Sequence, residues 1–317
     1  MARKNSFFSS SSLLFLCSLL VGTGTLTGQT RTNATQIIPL HWLGDSIDTV
    51  WEPYAALVIP VKLKDCPRQF YMQFDLGAPS SLLYRNKLLS IQSKYPSVLQ
   101  LKDTSTLIGQ LCLQAGKTVI EQKNIAIRQF ENDSINWTNP ASIEIIGTFG
   151  VDLIDGKVAV IDYPGGSLQL SDTLANTSPH LTLSKFIYQQ KRILLPATIN
   201  GQSTLLYFDT GSSMFELLTD KATAQNLSTP PHQPLRYQVN SWGKTLTANS
   251  IAAASGITVN NQQLPIRFVT YIEGVNSAQI QQMQQMGIGG MTGNKLFLAY
   301  KLVLDTRNQY FGLIPEN

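Results

Sequence analysis

The chain has 317 residues, 43% apolar and 14% charged, with a formal charge of +4. This composition excludes a disordered chain and supplies enough length for one large core or two smaller ones. Arg3 and Lys4 fall in a segment read below as removed, leaving 4 − 2 = +2; with so little net charge and no long basic run, nucleic acid is excluded as the expected partner.

In chain order, residues 1–28 read as a secretory signal. Arg3 and Lys4 form the charged start, "LLFLCSLLVG" the apolar stretch, and the small residues of "GTGTLTG" follow. The apolar stretch is too short to span a bilayer comfortably, which favours cleavage over a membrane anchor. Cys17 would leave with it, and the mature protein would be exported: periplasmic, cell-surface or secreted. Cys66 and Cys112 remain, and either one disulfide or two thiols fits them. Asn33, Asn132, Asn136, Asn176 and Asn226 head N-x-S/T sequons, which matter only in a eukaryotic secretory pathway.

The remainder states one pattern twice. "VIPVKLKDCPRQFYMQFDLGAPSSLLY" (58–84) parallels "LLPATINGQSTLLYFDTGSSMFELL" (194–218), with Pro60 and Pro196 early and Phe-Asp-x-Gly late in each. Asn200-Gly201 signals a two-residue hairpin turn. "QAGKTVIEQKNIAI" (114–127) parallels "SWGKTLTANSIAAA" (241–254) through Gly-Lys-Thr. "GVDLIDGKVAVIDYPGGSLQL" (150–170) aligns without a gap to "GNKLFLAYKLVLDTRNQYFGL" (293–313), matching Gly150 to Gly293, Val160 to Val303 and Asp162 to Asp305. Two copies of one unit are therefore expected, at 40–172 and 185–317, joined by the polar stretch 171–182; as domains, 29–178 and 179–317. Short β-branched and aromatic runs broken by Gly, Asn and Pro predict an all-β fold. Helices are expected only at 84–95, 219–227 and 277–286.

Asp-x-Gly alone is weak, since chance gives roughly one in a chain of this size. Here the two occurrences, Asp75-Leu76-Gly77 and Asp209-Thr210-Gly211, fall at the same point of the repeated unit. A duplicated unit closing around a pseudo-twofold axis would bring Asp75 and Asp209 together. Two carboxyls in contact cannot both ionise comfortably, so one keeps a proton. The ionised partner can then act as general base on a water, and the protonated one can donate to a carbonyl oxygen.

On "FDLGAPSS" (74–81), "FDTGSS" (208–213) and the Gly-containing block that ends each half, the chain resembles the two-lobed, pepsin-like aspartic proteases. It looks like a divergent member, with a bacterial source left open. The resemblance covers nearly all of the mature chain. It implies two β lobes with a cleft between them, Asp75 and Asp209 as the catalytic pair, and Gly77 and Gly211 as backbone donors to the carboxyls. Ser212 would bond the outer oxygen of Asp209, which Ala78 cannot do for Asp75. Gly150 and Gly293 would support the active-site loops. The hairpin centred on Gly116 would be the flap. The resemblance implies no cofactor and no metal, an extended peptide or protein substrate, and a monomer.

The pattern departs at Leu76, where the family has Thr or Ser; Thr210 keeps the hydroxyl in the second lobe. Residues 104–122 also lack the flap tyrosine. Tyr237 and Trp242 occupy the hairpin of the second lobe, read as packing rather than as an exchange of roles between lobes. Asp162 and Asp305 read as turn formers. Gly-Lys-Thr at 116–118 and 243–245 lacks the earlier glycine of a phosphate loop, with Leu111 and Gln238 in its place. His41, His180 and His232 are too scattered for a zinc cluster or a triad. The functional alternatives are an inactive, peptide-binding relative marked by Leu76, and a structural β protein whose Asp-x-Gly turns only cap backbone.

Overall fold

A computed structural model describes residues 35–47, 50–102, 104–130, 134–174, 181–241, 244–275 and 277–316. The proposed signal, the 178/179 boundary, Asn33, Asn132, Asn176, His180, Trp242 and Gly243 lie outside them. The fold is all-β: two pseudo-twofold-related lobes, each with its own sheet, share a third sheet.

The shared sheet has six strands, ordered Gln36–Pro39, Ser167–Ser171, Val158–Asp162, Tyr300–Asp305, Tyr310–Pro315 and Ser184–Lys185. The two halves join where Val158–Asp162 pairs antiparallel with Tyr300–Asp305. Val160 and Val303, matched in the internal repeat, are direct partners there. A residue paired with its own repeat equivalent lies on the pseudo-twofold axis, so the axis passes between these two valines. The carboxyl of Asp162 accepts from Gly165 N–H at 2.8 Å, and that of Asp305 accepts from Arg307 and Asn308 N–H, so both form turns.

The first lobe's sheet runs His41–Ile47, Val50–Leu63, Gln69–Phe74, Ile145–Phe149, Leu82–Tyr84, Thr118–Arg128, Leu107–Ala115. The second runs Ile187–Gln189, Arg192–Ile199, Gln202–Phe208, Ile288–Thr292, Leu217–Leu218, Gln262–Glu273, Lys244–Val259, Leu235–Ser241. Asn200 and Gly201 both take positive φ, as a two-residue hairpin turn requires. Helices form at Arg85–Lys94, Lys221–Leu227 and Ser277–Gln285. The first is held by Leu88 and Ile91, buried three residues apart on one face. The second starts at Asp220, whose carboxyl accepts from Thr223 N–H at 3.0 Å. One apolar core runs beneath all three sheets and includes Phe70, Phe74, Phe149, Phe208, Phe297 and Phe311.

Strand pairing corrects the match made through Gly-Lys-Thr. Thr118–Arg128 pairs parallel with Leu82–Tyr84, as Gln262–Glu273 pairs parallel with Leu217–Leu218. These two strands are therefore equivalent, and the turn at Gly116 corresponds to Asn260-Asn261, not to Gly243. The hairpin Leu235–Ser241 with Lys244–Val259 has no counterpart in the first lobe, where residues 95–106 form no strand among the described residues. Cys66 is buried and Cys112 exposed, and both are free thiols.

Candidate active site

Each Asp-x-Gly loop is built the same way. Strand Gln69–Phe74 lies parallel to Ile145–Phe149 and delivers Asp75, whose N–H donates to Phe149 C=O at 2.9 Å. Strand Gln202–Phe208 lies parallel to Ile288–Thr292 and delivers Asp209, whose N–H donates to Thr292 C=O at 3.0 Å. Gly150 and Gly293 then pass against the loops. A methyl group on Gly150 would sit 2.6 Å from the Ala78 carbonyl oxygen, and one on Gly293 only 2.0 Å from that of Ser212. Only glycine permits that approach.

The two loops cross. A Cβ on Gly77 would meet the Asp209 carboxyl at 2.4–2.7 Å, and one on Gly211 would meet the Asp75 carboxyl at 2.5–2.9 Å. Each carboxyl thus lies on the other lobe's glycine, and the two acids face each other, fully buried. Oδ1 of Asp75 accepts from Gly77 N–H at 2.9 Å and Ala78 N–H at 3.2 Å. Oδ1 of Asp209 accepts from Gly211 N–H at 2.8 Å, and its Oδ2 accepts from Ser212 Oγ–H at 3.1 Å. Among the described residues, no N–H or hydroxyl donor bonds Asp75 Oδ2. Burial, then the charge of Asp209 and direct contact with it, hold the Asp75 carboxyl well above the usual carboxylate range, against the two N–H bonds. A proton shared by the pair relieves this repulsion and gives Asp75 Oδ2 its hydrogen bond.

The interlobe hydroxyl bridge is one-sided. Thr210 Oγ1 accepts from Leu76 N–H at 2.8 Å and donates to Phe74 C=O at 2.8 Å. Leu76, fully buried in the apolar core, returns no such bond. Asn294 clamps the second loop in addition: its Nδ2 donates to Thr210 C=O at 2.9 Å and Ser213 Oγ at 3.0 Å, while its Oδ1 accepts from Tyr163 OH at 2.7 Å. On the first loop, Ser81 N–H and Oγ–H both donate to Asp152 Oδ1 at 2.8 Å, and Ser81 Oγ accepts from Gly150 N–H.

Two residues beside the acids are not singled out by the sequence reading. Gln73 and Tyr207 stand two positions before Asp75 and Asp209, so strand alternation turns them to the same face as the acids. Gln73 is buried. Tyr207 OH donates to Gly77 C=O at 3.2 Å, from one lobe to the other. Burial and both aspartates push its phenol above the ordinary range. The signal was present as a polar residue at i−2 in each apolar run.

A hairpin from the first lobe also reaches across. Ile47, at the end of His41–Ile47, packs among Met214, Phe215, Tyr237, Val239 and Ala248 of the second lobe. At the start of the next strand, Glu52 pairs with Lys295. Tyr237 lies inside this cluster with its hydroxyl 2.8 Å from Ser250 Oγ, a packing role.

Gly116 lies elsewhere. Its turn has φ +60° and packs on Pro39 of the shared sheet, and Thr118 Oγ1 donates to Ile37 C=O at 2.8 Å. Strand Leu107–Ala115 pairs with Lys62 and Leu63, at the end of the sheet away from Asp75. Five residues of strand, roughly 17 Å, separate Gln69 at that end from Phe74. The turn is therefore no flap apex, because the strand that would place it over the cleft is the one the first lobe lacks.

No protein-family model and no curated protein matches the chain. Among solved structures it is similar to an aspartic proteinase from Irpex lacteus, with a TM-score of 0.50 and 11% identity, over 90% of this chain and 98% of that one. At that identity the likeness defines the class of fold, a pepsin-like aspartic proteinase fold. It carries no argument for a bacterial source.

Proposed function

We propose that the protein is an exported aspartic-type endopeptidase. The observation that carries this reading is the crosswise packing of Asp75 on Gly211 and Asp209 on Gly77, which joins two buried carboxyls into one titrating unit. The ionised carboxyl takes a proton from water as its oxygen attacks the peptide carbonyl, and the protonated one donates to the carbonyl oxygen. Collapse of the tetrahedral diol breaks the C–N bond, and a dyad proton goes to the leaving amine. The chemistry uses no cofactor. An extended peptide or unfolded segment is the substrate class, bound to the monomer between the lobes. Both acids are buried, so substrate entry requires the groups that cover them to move.

The test is hydrolysis of a mixed peptide library from acid to neutral pH by the wild type and by Asp209→Asn. Cleavage lost in the variant supports the reading; no cleavage by folded wild type at any pH removes it. A second reading, an inactive peptide-binding relative, draws on Leu76 and the closed dyad. A peptide with a tetrahedral hydroxyl isostere separates the two: a working dyad binds it far more tightly than the plain peptide.

A further inference from the structure

The second lobe contains a hollow of about 470 Å³, whose lining does not include the dyad and which is within the size range of small-molecule sites. It lies beneath helix Ser277–Gln285, between helix Lys221–Leu227 and strand Ile288–Thr292. Leu218, Ile272, Val275, Ile280 and Met283 all line it and all remain half-buried, Leu218 and Ile272 with their other side against the cluster of Met214, Phe215 and Tyr237. A hollow of this size lined largely by apolar side chains is uncommon in a native core, which fills its voids. Ile280 and Met283 stand three apart on the covering helix and so present one apolar face. Gly274 and Gly287, both at positive φ, flank that helix.

The rim supplies a charge. Asp220 is already engaged, its carboxyl accepting from Thr223 N–H and, at 2.7 Å, from Thr223 Oγ–H. Lys221 is exposed, with its ammonium 5.7 Å from the Tyr271 ring centroid. The lining is therefore mostly apolar in area, and Lys221 is the one cation among the lining residues.

We infer that this hollow is a binding site for a single-chain apolar carboxylate, its tail beneath helix Ser277–Gln285 and its carboxylate at Lys221. A saturated tail of roughly ten to twelve carbons suits a space of this size. The inference stands apart from the proposed peptidase activity, and its test reads binding alone.

Dodecanoate and dodecanol are titrated into the purified full chain by calorimetry, in wild type and in Asp209→Asn. The expected result is saturable one-to-one binding of dodecanoate, equal in both proteins, so that a failed dyad would not mask it. Lys221→Gln should weaken dodecanoate about tenfold and leave dodecanol unchanged. Ile280→Trp, which fills the hollow, should weaken both ligands by at least about tenfold. Met283→Ala, which enlarges it, should move the preference toward tetradecanoate. Absent or non-stoichiometric dodecanoate binding overturns the site, as does full binding by Ile280→Trp. Should Ile280→Trp fail to fold, the exposed Lys221→Gln decides: an unchanged preference for carboxylate over alcohol overturns the assignment.

Discussion

Gly77 of the first lobe lies so close to Asp209 of the second that a methyl group added to it would sit 2.4 Å from the carboxyl oxygen Oδ1. Gly211 stands in the same relation to Asp75, at 2.5 Å. Gly77→Ala or Gly211→Ala must therefore displace the opposite acid. Either is expected to cut kcat/KM by at least about a hundredfold, the order of loss from misplacing a reacting group by an ångström. Steady-state kinetics on a single cleaved peptide would check this, and near-normal activity would show that the carboxyls do not work in this arrangement.

Thr210 bridges the two loops through its hydroxyl, and Leu76 cannot reciprocate. Thr210→Val leaves the buried Leu76 N–H and Phe74 C=O without their partner. The expected cost is about 1–3 kcal/mol for each group left unpaired, measured by denaturant unfolding. Thr210→Ser keeps the hydroxyl and should recover most of it. Equal losses in both variants would assign the effect to packing.

The dyad also sets a sign for stability against pH. The folded-state pKa of Asp75 is raised above its reference of 3.8. Below that reference the acid is neutral in both states. As pH rises, the unfolded chain releases this proton first, so the favourable contribution of the neutral acid is lost up to the folded pKa. Asp75→Asn removes this dependence. The variant should melt higher than wild type at pH 7 and show no such gain at pH 3, by thermal unfolding across that range. A variant less stable at pH 7 would contradict the raised pKa.

Tyr207 holds the Gly77 carbonyl from across the cleft. Tyr207→Phe removes one hydrogen bond, worth about 0.5–1.5 kcal/mol of stability. It also frees that carbonyl for a substrate backbone, so KM should fall. A KM that rises would mean the hydroxyl itself binds substrate.

Legibility in the sequence followed the range of the interaction. The Asp-x-Gly loops, the Asn200-Gly201 turn and the closing block are local patterns repeated at matching points, so a single chain displays them. Val160 and Val303 align in the text and pair in the sheet for one reason, the symmetry of the duplication. Gly116 was misplaced because a shared tripeptide says nothing about which strands its neighbours join. That is decided by Thr118–Arg128 meeting Leu82–Tyr84, a long-range pairing. Gln73 and Tyr207 were hidden inside apolar runs, and Asn294 acts through groups more than 80 positions away. The reach of Ile47 across the lobes left no local trace at all.

The central claim, that Asp75 and Asp209 form one catalytic unit, is tested most directly by kcat on a single cleaved peptide for Asp75→Asn, Asp209→Asn and the double variant. Each single variant should lose at least about a thousandfold, and the double should lose no more than either, because residues acting as a unit are not additive. A single variant that keeps a tenth or more of wild-type kcat, or losses that multiply in the double, would contradict it.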